Sequence, residues 1–414
     1  MSSTLPLALY GAATGLLEPF APAILRGRAG RGKEDPARIG ERLGRPGAPR
    51  PDGPLVWLHG VSVGETMSLL PLVTALRARR PDLGLLVTSG TVTAAELLQK
   101  RLPNGVIHQF APIDAPGAVR RFLDHWRPSL AVFVESELWP NLILAARARG
   151  VRLALLSARM TEASANRWAG WPASARTLVG AFDLILPQDQ ATAARLRRLG
   201  ATPGPLLNLK TVGEPLAADE AELARLRAAV AGRRVVLAAS THPGEEAIVA
   251  QAFHAAGGDG LLIVAPRHPE RGPAIARELG ATRRAAGETM DGPIHVADTL
   301  GELGLFFRLA DVVVMGGGFL PGVGGHNPME PARIGRPIIT GPHAFNAADV
   351  YAAMFAEVAA LEAADAETLA RHLRGLRDYP LIARRMGEAA LGFAHRQGAA
   401  LDEAMALLEP LLPA

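Results

Sequence analysis

From Pro54 onward the chain alternates short apolar runs with longer stretches whose apolar residues recur at helical spacing, and this alternation restricts the fold more than any other feature. Strands are expected at 55–58, 85–88, 130–134, 153–156 and 184–186, and again at 235–239, 261–265, 294–296, 312–315 and 337–340. Stretches such as 67–80 and 117–125 carry the helical period between them. Such alternation builds parallel sheets covered by helices, an α/β architecture. With 414 residues the chain exceeds one ordinary core. A turn-rich stretch at 208–219, followed by a charged helix at 220–231, separates the two sets. The expected division is an N-terminal segment at 1–50, a first Rossmann-like domain at 51–214, and a second at 215–414 that includes closing C-terminal helices.

The chain has no cysteine, which excludes disulfides, thiolate metal sites and cysteine nucleophiles. Its formal net charge is +4, and the location of that charge matters more than its size. Residues 26–50 hold Arg26, Arg28, Arg31, Lys33, Arg38, Arg42, Arg45 and Arg50 against Glu34, Asp35 and Glu41, a net of +5. Residues 1–25 carry only Glu18, so residues 51–414 sum to zero. A nucleic-acid binder spreads its excess along a groove, so no nucleic-acid partner is expected. The apolar run at 5–25 precedes the basic stretch, the reverse of a signal peptide. Pro19 and Pro22 are expected to break its helix near Glu18, leaving it too short to span a bilayer. A core helix packed on the first domain would show the same pattern. Basic residues beside anionic lipid contribute about 1 kcal/mol each, and on that ground an interfacial anchor is expected.

In doubly wound sheets ligands bind beyond the carboxyl ends of the strands, so residues that directly follow strands are the informative ones. Residues 59–65, His-Gly-Val-Ser-Val-Gly-Glu, follow the first. Ser62-x-x-Glu65 reads as a capping box that needs no catalysis, while a glutamate there can also serve as a general base. Residues 135–141, Glu-Ser-Glu-Leu-Trp-Pro-Asn, place two carboxylates after another strand. In the second half, 240–246, 265–271 and 298–303 each follow a strand. His242 and His268 lack the paired spacing of metal ligands. Residues 316–325 hold six glycines before a helix start, a loop expected to wrap an anion against the helix N-terminus. The loop ends Gly-His-Asn, not Gly-Lys-Ser/Thr, so it is no Walker loop.

Together these segments resemble the 3-deoxy-D-manno-octulosonic acid (Kdo) transferases that act on lipid A precursor. The resemblance runs from Lys33-Glu34-Asp35 to the C-terminal helices and includes Asn208-Leu209-Lys210 and residues 324–330 and 341–346. It implies a GT-B fold, two Rossmann-like parallel-sheet domains facing across a cleft. It further implies inverting transfer of Kdo from CMP-Kdo to a lipid A precursor at the cytoplasmic side of the inner membrane. Carried over by motif, Glu65 is the general base, and Glu135 and Lys210 stabilise the transition state. Pro266, Arg267, Leu300, Gly301, Glu302, Asn327, Pro328, Met329 and Glu330 match the CMP contacts. No cofactor and no metal are implied, since a single phosphate can be met by amides and cations. The sequence departs from the family at Gly60 and Gly318, where serine is more usual. Competing readings are another GT-B enzyme with a different nucleotide sugar and a nucleotide-dependent oxidoreductase. The late glycine-rich loop without an acidic partner disfavours the oxidoreductase.

Overall fold

The structure is a computed structural model that describes residues 4–230 and 232–413. Residues 1–3, the expected helix end at 231, and 414 lie outside the described residues. Contacts divide the chain into two units, Met1–Val212 with Gln397–Ala414, and Gly213–Arg396.

Unit one holds a six-stranded parallel sheet of β1 (Leu55–His59), β2 (Gly84–Ser89), β3 (Val106–Phe110), β4 (Leu130–Val134), β5 (Arg152–Ala158) and β6 (Leu184–Pro187). Its order, β3-β2-β1-β4-β5-β6, is that of the Rossmann sheet, with the switch of direction between β1 and β4. On one side Trp57 packs edge to face on Phe133 and tilted on Phe122, at centroid distances of 5.3 and 4.9 Å. Leu69, Leu72, Val73 and Leu76 of the helix Val63–Arg79 fill the other side. Each such fully buried side chain contributes about 1.5–3 kcal/mol.

Unit two holds a second parallel sheet of β7 (Val235–Thr241), β8 (Leu261–Pro266), β9 (Thr282–Arg283), β10 (Ile294–Val296), β11 (Val312–Met315), β12 (Ile338–Thr340) and β13 (Leu361–Glu362). Its order is β13-β12-β11-β7-β8-β10-β9, and the switch of direction lies between β7 and β11. The expected pair of Rossmann-like parallel-sheet units is therefore observed.

Two expectations are corrected. Residues 397–414 group with unit one because Ala404, Met405 and Leu408 of the helix Pro380–Leu408 are buried among Leu69, Leu72 and Leu76. The N-terminal helix is also not broken. A helix at Leu5–Leu17 passes through a 3₁₀ turn at Glu18–Phe20 into a helix at Ala21–Ala29. Pro19 and Pro22 each fall at the start of the following segment, where no backbone donor is needed. The resulting span, Leu5–Ala29, is long and apolar enough to cross a membrane. It belongs to unit one through buried Leu7, Ala21 and Leu25. Tyr10 donates to Asp114 at 2.9 Å, and Glu18 accepts from the Gly117 amide at 2.8 Å. The opposite face leaves Leu5, Leu9, Leu16, Leu17, Phe20 and Ile24 exposed.

Candidate active site

Both switch points carry the side chains singled out from the sequence. In unit one, β1 leads into the turn that ends at Glu65, and β4 leads into Glu135. Ser62 caps the helix Val63–Arg79, and the full capping box is formed. One carboxylate oxygen of Glu65 accepts the Val61 amide at 2.6 Å, and the other accepts the Ser62 hydroxyl at 2.9 Å. A Cβ at Gly60 would lie 3.1 Å from that of Glu65, so the glycine lets the turn close. Burial pushes the Glu65 carboxyl above its ordinary range, and the charges of Glu137 and Glu135 add to this. The Val61 amide and the Ser62 hydroxyl oppose it. Capping and chemistry do not compete here, since the oxygen that accepts the Ser62 hydroxyl keeps a second lone pair.

Glu135 follows β4 with a φ of 56°, a left-handed conformation rare outside glycine and asparagine. The turn is held because Glu135 donates its amide to Leu156 O at 3.2 Å and accepts Arg159 N at 3.1 Å. Its buried carboxylate lies 2.8 Å from Lys210 Nζ. Lys210 sits in a 3₁₀ turn, Leu209–Thr211, capped by Asn208 and fixed by the Leu209 amide donating to Ser157 Oγ at 3.2 Å. Glu137 accepts the Trp139 indole and lies 3.6 Å from His59 Nε2. Trp57 donates to Thr88 Oγ1 at 2.8 Å, and the same hydroxyl bonds His59 Nδ1 at 2.9 Å, which orients the ring with Nε2 toward Glu137. Sequence reasoning missed Asp114, which caps the helix Pro140–Ala148 by accepting the amides of Asn141 and Leu142 at 3.2 and 2.8 Å. The only local signal was its place shortly after an unrecognised strand.

In unit two, the loops after β7 and β11 meet. Glu245 is buried, and one of its oxygens accepts the amides of His242 and Gly317 at 2.9 and 2.7 Å. The other accepts the Phe319 amide at 2.9 Å. This corrects one expectation: two amides of the glycine-rich loop hold the chain's own Glu245 carboxylate. The helix that follows, Met329–Ala332, is a single turn. His326 leaves the loop to stack on His242, with the rings 11° from parallel and the two Nε2 atoms 2.9 Å apart. Burial, then the charges of His242 and Arg267, lower the His326 pKa to about 4.

The structure sorts the expected CMP contacts. Pro266 ends β8 and is buried, and exposed Arg267 follows it. Arg267 acts electrostatically on His242, His326 and Glu330, so these groups share one neighbourhood. Burial raises the Glu330 carboxyl, opposed by Arg333 and Arg267. Asn327 accepts the Met329 amide at 3.0 Å, Pro328 is buried, and the Met329 side chain lies in the core. Leu300 is 85% exposed and Gly301 has a φ of 84°, beyond the end of β10. The Glu302 carboxylate is taken by Arg284 at 2.6 Å and by Thr299, which hold its pKa down. Among the described residues, no three histidine or carboxylate side chains converge as a metal site.

Comparison with known proteins places this geometry in context. The family model described as 3-deoxy-D-manno-octulosonic-acid transferase (kdotransferase) matches residues 37–214. A 3-deoxy-D-manno-octulosonic acid transferase of Bordetella pertussis is 38% identical over 403 residues, 91% of each chain. A probable mitochondrial transferase of the same name from Arabidopsis thaliana is 37% identical, over 81% of this chain and 79% of its own. A solved glycosyltransferase from Rickettsia africae superposes with a TM-score of 0.59 at 10% identity, covering 87% of this chain and 99% of that one. That likeness shows the fold alone, the GT-B fold.

Proposed function

The chain belongs to the Kdo transferase family, and from that premise we propose that it moves Kdo from CMP-Kdo to a lipid A precursor with inversion. It is a glycosyltransferase of lipopolysaccharide synthesis. The observation that carries the finer reading is Glu65, a carboxyl raised by burial and by two neighbouring carboxylates at the switch point of unit one.

In this reading an acceptor hydroxyl attacks the anomeric carbon as the bond from that carbon to the phosphate oxygen breaks. CMP leaves with the bonding electron pair, and the hydroxyl proton passes to Glu65. A base with a raised pKa holds that proton better than an ordinary carboxylate does. The Lys210 ammonium, fixed by Glu135, supplies a positioned positive charge for developing negative charge. Unit two supplies Arg267, the His242–His326 pair and the loop fixed by Glu245 for the anionic donor. No metal enters this scheme.

We also assign the exposed face of Leu5–Ala29 to the cytoplasmic surface of the inner membrane. Tyr10, Thr14 and Glu18 are bonded to the protein, which favours a helix lying on the bilayer over one surrounded by it. The basic stretch contributes less than its sum. Arg28 and Arg42 pair with Glu34, Arg38 pairs with Glu41, and Arg50 donates to three carbonyls. Arg26, Arg31, Lys33 and Arg45 are left exposed for lipid.

Incubation with CMP-Kdo and lipid A precursor, followed by mass spectrometry of the lipid, tests the function. CMP release that needs the lipid, with a Kdo mass increment on it, is the expected result. CMP release without acceptor, or an unchanged lipid, would overturn the reading.

A further inference from the structure

The parallel strands of unit two put every carboxyl end, and with it Arg267 and His242, on one edge of the sheet. A cavity of about 800 Å³ lies at the opposite edge, beside Val235, Asp311 and Pro337, which start or precede β7, β11 and β12. With about 3.3 Å per residue, the seven residues of β7 put it roughly 20 Å from the donor loops.

Its polar lining is heavily cationic. Arg227, Arg233, Arg234, Arg336 and Arg384 line it, against Asp311 and Glu388 alone, a surplus of three positive charges (5 − 2). Arg384 is matched by Glu388 at 2.8 Å. One Asp311 oxygen accepts the Val235 amide at 2.8 Å. Arg233 spends its donors on the carbonyls of Met290, Gly260 and Gly292, which fix the side chain without neutralising it. Among the described residues, Arg227 and Arg234 make no side-chain hydrogen bond and no ion pair, and the buried Arg336 Nε has no partner. Burial pulls the Arg336 guanidinium below its ordinary pKa, as do Arg227 and Arg308, with Asp311 opposing. Gathering cations around a partly buried, unsatisfied donor is costly unless an anion completes the group. The remaining wall is apolar, built from Leu309, Ile334, Leu376 and Leu391.

We propose that this cavity is a second anion site, which takes a phosphate group between Arg227, Arg234 and Arg336, with room on the apolar wall for the group it esterifies. Planar guanidinium forks suit phosphate oxygens better than point charges do. The site is independent of the transferase reading, since none of its residues follows a carboxyl end of a strand.

Calorimetric titration of inorganic phosphate into the full chain, with CMP present in excess, tests the proposal. Arg227→Gln and Arg234→Gln are each expected to weaken phosphate binding about tenfold, the loss of one charge-assisted contact. Neither guanidinium bonds to the protein, so neither variant should disturb folding. Arg225→Gln, on the same helix but paired with Glu222, is the control and should bind as the parent does. A second titration with dihexanoyl phosphatidylglycerol identifies the source. Tighter lipid binding that phosphate displaces indicates a lipid headgroup, and phosphate binding alone indicates a soluble phosphate or its ester. Absence of phosphate binding, or equal affinity in parent and both variants, overturns the proposal.

Discussion

The Lys210 ammonium lies 2.8 Å from the buried Glu135 carboxylate, so each fixes the other's position at the end of β4. The chain uses 44 basic residues, of which only Lys33, Lys100 and Lys210 are lysine, so arginine serves almost everywhere else. A guanidinium at 210 would keep the charge but spread it over a plane that needs more space beside Glu135. Lys210→Arg is expected to lower kcat by about one to two orders of magnitude, roughly 1.4–2.8 kcal/mol of barrier, with little change in Tm. Lys100→Arg is the silent control. A wild-type rate for Lys210→Arg would mean that only charge matters there.

Glu65→Gln should fold and bind the donor, because an amide oxygen still accepts the Val61 amide. It cannot take a proton, so kcat is expected to fall by about 10²- to 10⁴-fold. Donor affinity measured beside kcat separates the roles. If kcat survives and only Tm drops, Glu65 is a helix cap and nothing more.

The pH dependence follows from the same carboxylates. A glutamate with a raised folded pKa becomes active as pH climbs through that raised value, so the acid limb of kcat/KM should lie above the ordinary carboxylate range. Glu137 is one cause of the shift, after burial, so Glu137→Gln should move the limb to lower pH without abolishing it. For stability, the raised pKa makes a contribution that is full below the unfolded value and lost as pH rises through the folded one. An acid limb unmoved by Glu137→Gln would sever that electrostatic link.

His295 has the opposite sign. Burial lowers its pKa to about 4, and its Nε2 has no partner. The folded state keeps it neutral, so its contribution is present above the unfolded value near 6.5 and lost as pH falls toward 4. His295→Gln should flatten the decline of Tm across that window. An unchanged slope would mean that His295 does not titrate on unfolding.

Membrane attachment is best tested on the exposed face, because deleting the helix would also strip Tyr10 from Asp114 and Thr14 from Asn141. Replacing Leu9, Leu16 and Phe20 with glutamine removes exposed apolar surface without touching the packed side. Each such side chain is worth up to about 1.5–3 kcal/mol when buried in lipid. Co-sedimentation with anionic vesicles is expected to fall by at least about tenfold, while turnover on detergent-dispersed acceptor persists. Unaltered co-sedimentation would count against the anchor.

Strand positions were legible wherever both faces of a strand are buried, because such strands read as continuous apolar runs. β3 escaped because His108 and Gln109 interrupt it, and their partners lie elsewhere in the chain. His108 bonds Ser89 at 2.9 Å, and Gln109 accepts from Gly47 and Trp126 at 3.2 and 3.1 Å. The continuation of the N-terminal helix past Pro19 and Pro22 escaped because their positions at segment starts depend on the intervening 3₁₀ turn. Glu65 and Glu135 were legible as residues just after strands. The approach of Glu65 to Glu135 and Glu137 depends on β1 and β4 being neighbours, and that of Lys210 to Glu135 on β5 lying beside β4, which only the sheet order reveals.

Glu245 is the clearest case of a residue whose position was visible and whose role was not. Three backbone amides, from His242, Gly317 and Phe319, converge on its two oxygens in a buried setting. Glutamine is nearly the same shape, but its amino group would face an N–H where the carboxylate now accepts one. At least one loop amide is then left unsatisfied, at a cost of about 1–3 kcal/mol. The loop after β11 and the turn carrying His242 lose their shared anchor together, so the effect should concentrate on donor binding. Glu245→Gln is expected to weaken CMP binding by about tenfold or more and to lower Tm by a few degrees. The rate at saturating donor should fall less than the affinity does. A lower Tm with unchanged CMP affinity would mean that Glu245 merely supports the fold and does not shape the donor loop.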